Sequence, residues 1–280
     1  MKTTVSHDSS VDSAGAGRVS PATRRLRQSE RLDAIADHVL SSGTARIEDL
    51  AEMFSVSSMT VHRDLDVLDQ KGILRKTRGV ATAVATSLFE ASPEYRVRQA
   101  QAEKKAVAEA AFELIEPGQA LLLDDSTTGI HLAELLPQKI PLTVITNFER
   151  VAGVLLEHAG IQTILTGGQY DRSSEAYMGA LTLDALKSLR ADMVLMSSPA
   201  VTDGMCFHQH HGAVLIKRAM VKAAARSVLY LDHTKFAMTA LHASVKVSDF
   251  DTVIVDSKTP GEQIEQLSQV DVELIVVESG

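Results

Sequence analysis

Cysteine is almost absent from this chain, with Cys206 standing alone among 280 residues. One thiol excludes an intrachain disulfide and a cysteine-rich metal site, and it fits a reducing cytoplasm. No apolar run reaches 18 residues, so a membrane-spanning helix is not expected. The first residues are polar and charged without the apolar stretch of a secretory signal. Positive charge is not in excess either: 28 Lys and Arg face 36 Asp and Glu, a net charge of -8. For a nucleic-acid binder the distribution of charge matters more than its sum. Residues 1–90 hold 12 basic and 12 acidic groups, and residues 91–280 hold 16 and 24. The first part carries two basic clusters, Arg24, Arg25, Arg27, Arg31 and Lys71, Arg75, Lys76, Arg78. Such patches can meet phosphates while the acidic body stays away.

What is present divides into a small and a medium domain, which this length can support. Residues 1–22 are rich in Ser, Ala, Gly and Asp and are expected to form a disordered tail. Residues 23–84 read as a DNA-binding domain, 85–100 as a polar linker broken at Pro93, and 101–280 as an α/β domain. In the first domain Leu26, Leu32, Ile35, Ala36, Val39 and Leu40 recur at helical spacing until Ser41-Ser42-Gly43. A second short helix carries Ile47, Leu50, Ala51 and Phe54, with Arg46 in place of a comfortable N-cap. The Phe54-Ser55-Val56-Ser57 turn leads to a third helix capped by Ser57 and burying Val61, Leu65 and Leu68. Residues 73–76 and 80–84, separated by Thr77-Arg78-Gly79, read as a hairpin.

Three short helices closed by a hairpin make a winged helix-turn-helix, whose third helix enters the major groove of DNA. Ser57, Ser58, Thr60, His62 and Arg63 would form the reading face, with Arg63 able to contact guanine or phosphate. Arg75, Lys76 and Arg78 would set the wing on phosphates. Asp64 is unsuited to a phosphate and is expected to pair with a neighbouring base.

After a charged helix at 99–115, with Ala102, Ala106, Ala110 and Leu114 expected on one face, apolar runs alternate with helical patterns. The runs lie at 120–123, 142–145, 163–165, 193–196, 228–231, 252–255 and 272–277. The helical patterns lie at 129–136, 149–158, 179–189, 213–224 and 262–269. This alternation predicts a Rossmann-like, mostly parallel sheet covered on both faces. In such sheets ligands sit at the carboxyl ends of the strands. The candidates there are Asp124, Asp125, Ser126, Thr127 and Thr128 at a helix start, then Thr146-Asn147, Gly167-Gly168-Gln169 and Ser197-Ser198. Asp232 and Lys235 follow a later strand, and Lys217 lies on a helix. Hydroxyls, amides, carboxylates and lysines together suit a small phosphorylated sugar or polyol. No cofactor is expected. His208, Gln209, His210 and His211 read as an exposed polar loop or, less simply, as a metal site lacking a cysteine or paired acid.

Ser57-Ser58-Met59-Thr60-Val61-His62-Arg63-Asp64-Leu65, with Leu68, Gly72 and the 75–81 wing, resembles the signature of the DeoR family of bacterial regulators. His62 stands where that family has an Arg, and Arg78 and Val80 alter its wing. Asp124-Asp125-Ser126-Thr127-Thr128, Thr146-Asn147, Gly167-Gly168-Gln169, Ile216-Lys217-Arg218-Ala219-Met220 and Asp232-His233-Thr234-Lys235-Phe236 continue the resemblance. The family usually has a Glu four or five residues before the lysine, where this chain has Ala213 and Gly212. The resemblance implies a sensor domain like ribose-5-phosphate isomerase and regulation of carbohydrate genes, as a repressor, by a sugar phosphate. Operator DNA is the implied partner, read by a homodimer or homotetramer in the cytoplasm. A sugar-phosphate isomerase or deaminase with an added DNA-binding module is the alternative, using Asp124, Asp125 or Asp232 as base.

Overall fold

A computed structural model describes residues 27–83 and 91–279. The expected tail, Arg24, Arg25, Leu26 and residues 84–90 of the hairpin end and linker lie outside the described residues, as does the side chain of Leu40.

The N-terminal unit runs α1 (Gln28–Ser42), β1 (Thr44–Arg46), α2 (Ile47–Met53), α3 (Ser58–Gln70), β2 (Leu74–Thr77) and β3 (Val80–Ala83). Ile35, Ala36 and Val39 of α1 pack against Leu50 of α2 and Val61, Leu65 and Leu68 of α3, all within 2% of complete burial. Apolar side chains at three- and four-residue steps put one stripe of each helix into this core. Ser57 caps α3 as expected: its Oγ accepts the Thr60 amide at 3.2 Å. The hairpin turns at Arg78 and Gly79, both at positive φ, which matches the twist of tight two-residue turns. The short strand β1 was not foreseen. It completes an antiparallel sheet in the order β1-β3-β2, and three residues are too few to show a period.

The chain resumes with α4 (Pro93–Arg96) and α5 (Gln101–Glu113). Residues 91–98 are structured, with Ser92 capping α4 and Tyr95 buried in the N-terminal core. The expected face of α5 is met in part, with Ala110 and Leu114 packed half-buried against the core. Ala102 is exposed, and Glu103, Lys104, Val107, Ala108, Ala111 and Phe112 are the buried set. The larger Val and Phe112 side chains dictate the rotation, because alanine contributes little area to either face.

The sheet domain continues β4 (Ala120–Leu123), α6 (Thr127–Leu135), β5 (Leu142–Thr146), α7 (Glu149–Leu155), β6 (Ile161–Leu165), β7 (Gln169–Asp171), β8 (Ala176–Met178) and α8 (Ala180–Lys187). It ends β9 (Ala191–Met196), β10 (Ala200–Thr202), β11 (Met205–His208), α9 (His211–Ala223), β12 (Ala224–Leu231), β13 (His242–Lys246), β14 (Thr252–Asp256), α10 (Gly261–Ser268) and β15 (Glu273–Val277). Each of the seven expected apolar runs is a strand of one sheet, ordered β15-β14-β12-β9-β4-β5-β6 and parallel at every pairing. Alternate residues feed two cores. Leu121, Leu123, Val144 and Leu195 face α5, α6 and α7, whereas Leu122, Ile145, Val194 and Met196 face α8, α9 and α10. Burial on both faces explains why these strands read as continuous apolar runs. Chain order reverses between β4 and β9: β5 and β6 extend one way, and β9, β12, β14 and β15 the other. A crevice opens at the carboxyl ends of strands where such a reversal occurs. No helix among the described residues is long and apolar enough to cross a membrane.

Candidate functional site

Two surfaces carry the candidate residues. On α3, Ser58, Met59 and Arg63 are exposed and His62 is half-buried. Thr60 is partly committed to the helix start, its hydroxyl 2.9 Å from that of Ser57. Asp64 is buried and binds Arg31 of α1, whose Nε lies 2.6 Å away. The carboxylate hydrogen bond raises the Arg31 guanidinium further despite burial. Arg31 therefore leaves the basic cluster assigned to phosphates, because its side chain locks α1 to α3. Lys76 is likewise turned inward: its Nζ sits 2.6 Å from Asp66 and 3.2 Å from the His62 carbonyl, clamping the wing to α3. Arg75 and Arg78 remain exposed on the wing.

In the sheet domain, the β4 and β9 ends bound a cleft lined by Asp125, Ser126, Thr127, Thr128, Ser197, Ser198, Pro199, His208, Lys217, Lys235 and Arg96. Behind it lies a buried ionic knot. Asp124, fully buried, accepts the amides of Ser126 (3.2 Å) and Ser197 (3.0 Å) and binds the Lys217 ammonium. Lys217 also lies 3.3 Å from Asp125 and donates to the Ser197 carbonyl at 3.1 Å. Burial alone would lower the Lys217 ammonium, but Asp124 and Asp125 more than reverse it and hold the group charged. Burial pushes the Asp125 carboxyl up, yet Lys217, His208 and Arg96 outweigh it and bring it to about 2. Asp124 goes the other way, raised because burial exceeds the attraction of Lys217. Two buried carboxylates sharing one cation separate in this manner.

Ser126 caps α6 through the Gly129 amide at 3.1 Å. Thr127 and Thr128 then line the cleft, and first-turn amides have no partner within their own helix. Asp232 is buried, held by the Thr234 amide at 3.1 Å, and faces Lys235 Nζ at 3.5 Å. Burial raises its carboxyl, but Lys235 and Lys104 with the Thr234 contacts leave it lowered. Ser197 Oγ is buried, has no hydrogen-bond partner among the described residues and belongs to a residue lining the cleft. The arrangement offers hydroxyls, a helix N-terminus and cations to a small anion.

Several expected members are elsewhere. Asp124 is no cleft residue but the anchor behind it. Thr146 and Asn147 are fully buried, with Thr146 Oγ1 accepting the Phe148 amide and Asn147 donating to the Tyr177 carbonyl. Gly167 gives its carbonyl to the Thr182 hydroxyl at 2.6 Å, and Gln169 is exposed on β7. Gly168 has φ +122, and a Cβ there would stand 2.2 Å from Thr182 Oγ1 and 2.7 Å from the Met178 carbonyl. Replacement by Ala should cost about 1–3 kcal/mol from backbone strain alone; an unchanged melting temperature would contradict this packing role. The loops after β5 and β6 thus shape the domain rather than line this cleft.

The histidine stretch is also corrected. His208 and Gln209 are buried, not an exposed loop, His208 because β11 is the middle strand of a small β10-β11-β13 sheet, whereas His210 is half-buried and His211 exposed as expected. His208 Nδ1 accepts the His210 amide at 3.1 Å. Among the described residues no three His, Cys, Asp or Glu side chains gather to hold a metal. Sequence reading passed over Arg96 entirely, since an arginine in a polar connector carries no signal of its own.

A helix-turn-helix with a wing, joined to a parallel-sheet domain with an anion-suited cleft, defines a DNA-binding regulator with a sensor. The family comparisons agree. The model of the DeoR-like helix-turn-helix domain matches residues 31–87, and that of the DeoR C terminal sensor domain matches residues 99–257. The chain belongs to the DeoR family and is a transcriptional regulator. A protein of Escherichia coli O157:H7 named for repression of the aga operon is 30% identical over 96% of this chain and 99% of its own. The lactose phosphotransferase system repressor of Staphylococcus aureus strain NCTC 8325 is 32% identical over 82% of this chain and 93% of its own. The L-fucose operon activator of Haemophilus influenzae is 29% identical over 82% and 92%. Among solved structures, ribose 5-phosphate isomerase A of Methanocaldococcus jannaschii covers 48% of this chain and 53% of its own, at 14% identity and a TM-score of 0.34.

Proposed function

We propose that this regulator represses a carbohydrate-metabolism operon and that a phosphorylated sugar or polyol in the β4/β9 cleft changes its affinity for operator DNA. The observation that carries the reading is the cleft itself: the α6 N-terminus and Lys235 supply positive potential, and Ser126, Thr127, Thr128 and Ser197 supply hydroxyls. The family resemblance adds an isomerase-like sheet, and the relatives named for sugar operons point to the same ligand class. Lys217 serves by fixing Asp125 and the Ser197 loop rather than as a phosphate ligand, since both neighbouring carboxylates already occupy it. On the DNA side, α3 would enter the major groove through Ser58, His62 and Arg63, with Arg75 and Arg78 on the backbone. A dimer or tetramer would present two such helices to a two-fold operator.

The test is a fluorescence-anisotropy titration of the full chain on DNA from its own upstream region, repeated with hexose 6-phosphates, pentose 5-phosphates and the unphosphorylated sugars. At least one phosphorylated sugar should shift operator affinity while its unphosphorylated parent does not. Turnover of a sugar phosphate without DNA affinity would move the chain to the enzyme alternative.

The wing clamp gives a second expectation. Asp66→Asn should release Lys76 toward the DNA backbone and steepen the slope of log affinity against log salt by about 0.9, the contribution of one added phosphate contact. An unchanged slope would mean that Lys76 stays tied to α3 in the complex.

A further inference from the structure

The segment between the two domains touches both of them. On one side Tyr95, 7% exposed, completes the core of the winged helix. Glu94 pairs with Lys71 at 3.2 Å, and Arg98 pairs with Asp33 at 3.4 Å. On the other side Arg96, one residue from Tyr95, lines the sensing cleft beside Thr128 and Lys235. A second cavity of about 210 Å³ continues along this seam, sharing Arg96, Pro199 and Lys235 with the cleft and walled by Ala91, Tyr95 and Met238. Two backbone-directed bonds fix the segment: Arg96 Nε donates to the Ala91 carbonyl at 2.9 Å, and buried Lys104 donates to the Arg96 carbonyl.

Resting on the sugar-phosphate reading above, we propose that Arg96 is an anion-binding residue of the sensing cleft, delivered by a segment anchored in the DNA-binding domain. The cleft's own lysines leave a place for it. Lys217 is neutralised by two carboxylates, Lys235 is turned partly to Asp232, and Arg96, near enough to help lower the Asp125 carboxyl, is oriented by its Nε bond to the Ala91 carbonyl. A guanidinium presents a planar fork that matches two phosphate or carboxylate oxygens at once, which an ammonium cannot. The polar cleft would take the anionic group, and the less polar cavity beyond Arg96 the body of the ligand. A ligand gripping Arg96 acts on α4, and through Tyr95 and the Glu94–Lys71 pair on the base of α3. That supplies the differential contact which coupling between two sites requires.

The experiment uses the full chain and compares wild type with Arg96→Gln and Arg96→Lys. Isothermal titration is run with inorganic phosphate and with whichever panel sugar phosphate moves the wild type most. Arg96→Gln should weaken binding of both probes at least about tenfold, the scale of one charge-assisted contact. The shift of its operator affinity by the sugar phosphate, measured against the same variant without ligand, should be lost. Arg96→Lys retains the charge without the fork, so it should fold as wild type and still lose several-fold in sugar-phosphate affinity. Wild-type binding and wild-type coupling in either folded variant would overturn the role of Arg96 and leave the sensing function standing. A wild-type chain that answers to no phosphorylated probe would overturn the sensing function, and this proposal with it.

Discussion

An Arg63→Ala protein should bind its operator about ten- to a hundredfold more weakly, the 1–3 kcal/mol that a bidentate base contact supplies. Its melting temperature should match wild type. Arg63 is exposed on α3, and among the described residues no carboxylate pairs with it. The neighbouring cations differ in this respect: Arg31 is spent on Asp64 and Lys76 on Asp66. Arg63 is thus the α3 cation left to reach DNA, and removing it disturbs no packing. Anisotropy on specific and scrambled DNA separates two roles. A base contact predicts the larger loss on the specific sequence, whereas a phosphate contact predicts equal losses on both. Sugar-phosphate binding should persist in either case. Loss of both activities would show that the DNA and sensing functions are not carried by separate surfaces.

The recognition helix was legible because its signals are local. A capping Ser57, apolar residues at three- and four-residue steps, and a stop at Gly72 all lie within one short stretch. The seven strands were legible for a related reason, since double-sided burial writes each as a compact apolar run. What sequence does not carry is strand order. The ends of β4, β5, β6, β9 and β12 looked equally eligible for a ligand, but among the described strands the order reverses at the β4/β9 neighbourhood. Thr146, Asn147 and Gly168 were therefore grouped with residues that the fold places apart from them. Burial of charge was equally hidden. Asp124 and Asp125 are adjacent and chemically identical, yet one is sealed behind the cleft and the other lines it. His208 looked like loop because its burial depends on pairing with His242 of β13, far along the chain. Lys104 on α5 was likewise unreadable, because its partner is a carbonyl of the connector.

Lys217→Met should destabilise the sensor domain by about 3–5 kcal/mol, the cost of breaking a buried ion pair from one side. The substitution removes the cation that two carboxylates share, and both carboxylates are at least 95% buried. At roughly 2–4 °C per kcal/mol for a domain of this size, the sensor transition should fall by about 10 °C. The sign of the pH dependence follows from Asp124. Burial already raises its carboxyl in the intact protein, and loss of Lys217 removes the main attraction opposing that rise. A carboxyl raised above its unfolded value favours the folded state at low pH and loses that contribution as pH climbs through the folded value. The deficit of Lys217→Met relative to wild type should therefore shrink from pH 8 to pH 5. Adding Asp124→Asn to Lys217→Met should recover part of the loss at pH 8, because it removes the charge left uncompensated while its single amide oxygen still accepts one of the Ser126 and Ser197 amides. Thermal melts of the three proteins across that range decide the matter. A pH-independent deficit, or a double variant no better than Lys217→Met alone, would mean that the knot stabilises the domain by packing and not by charge.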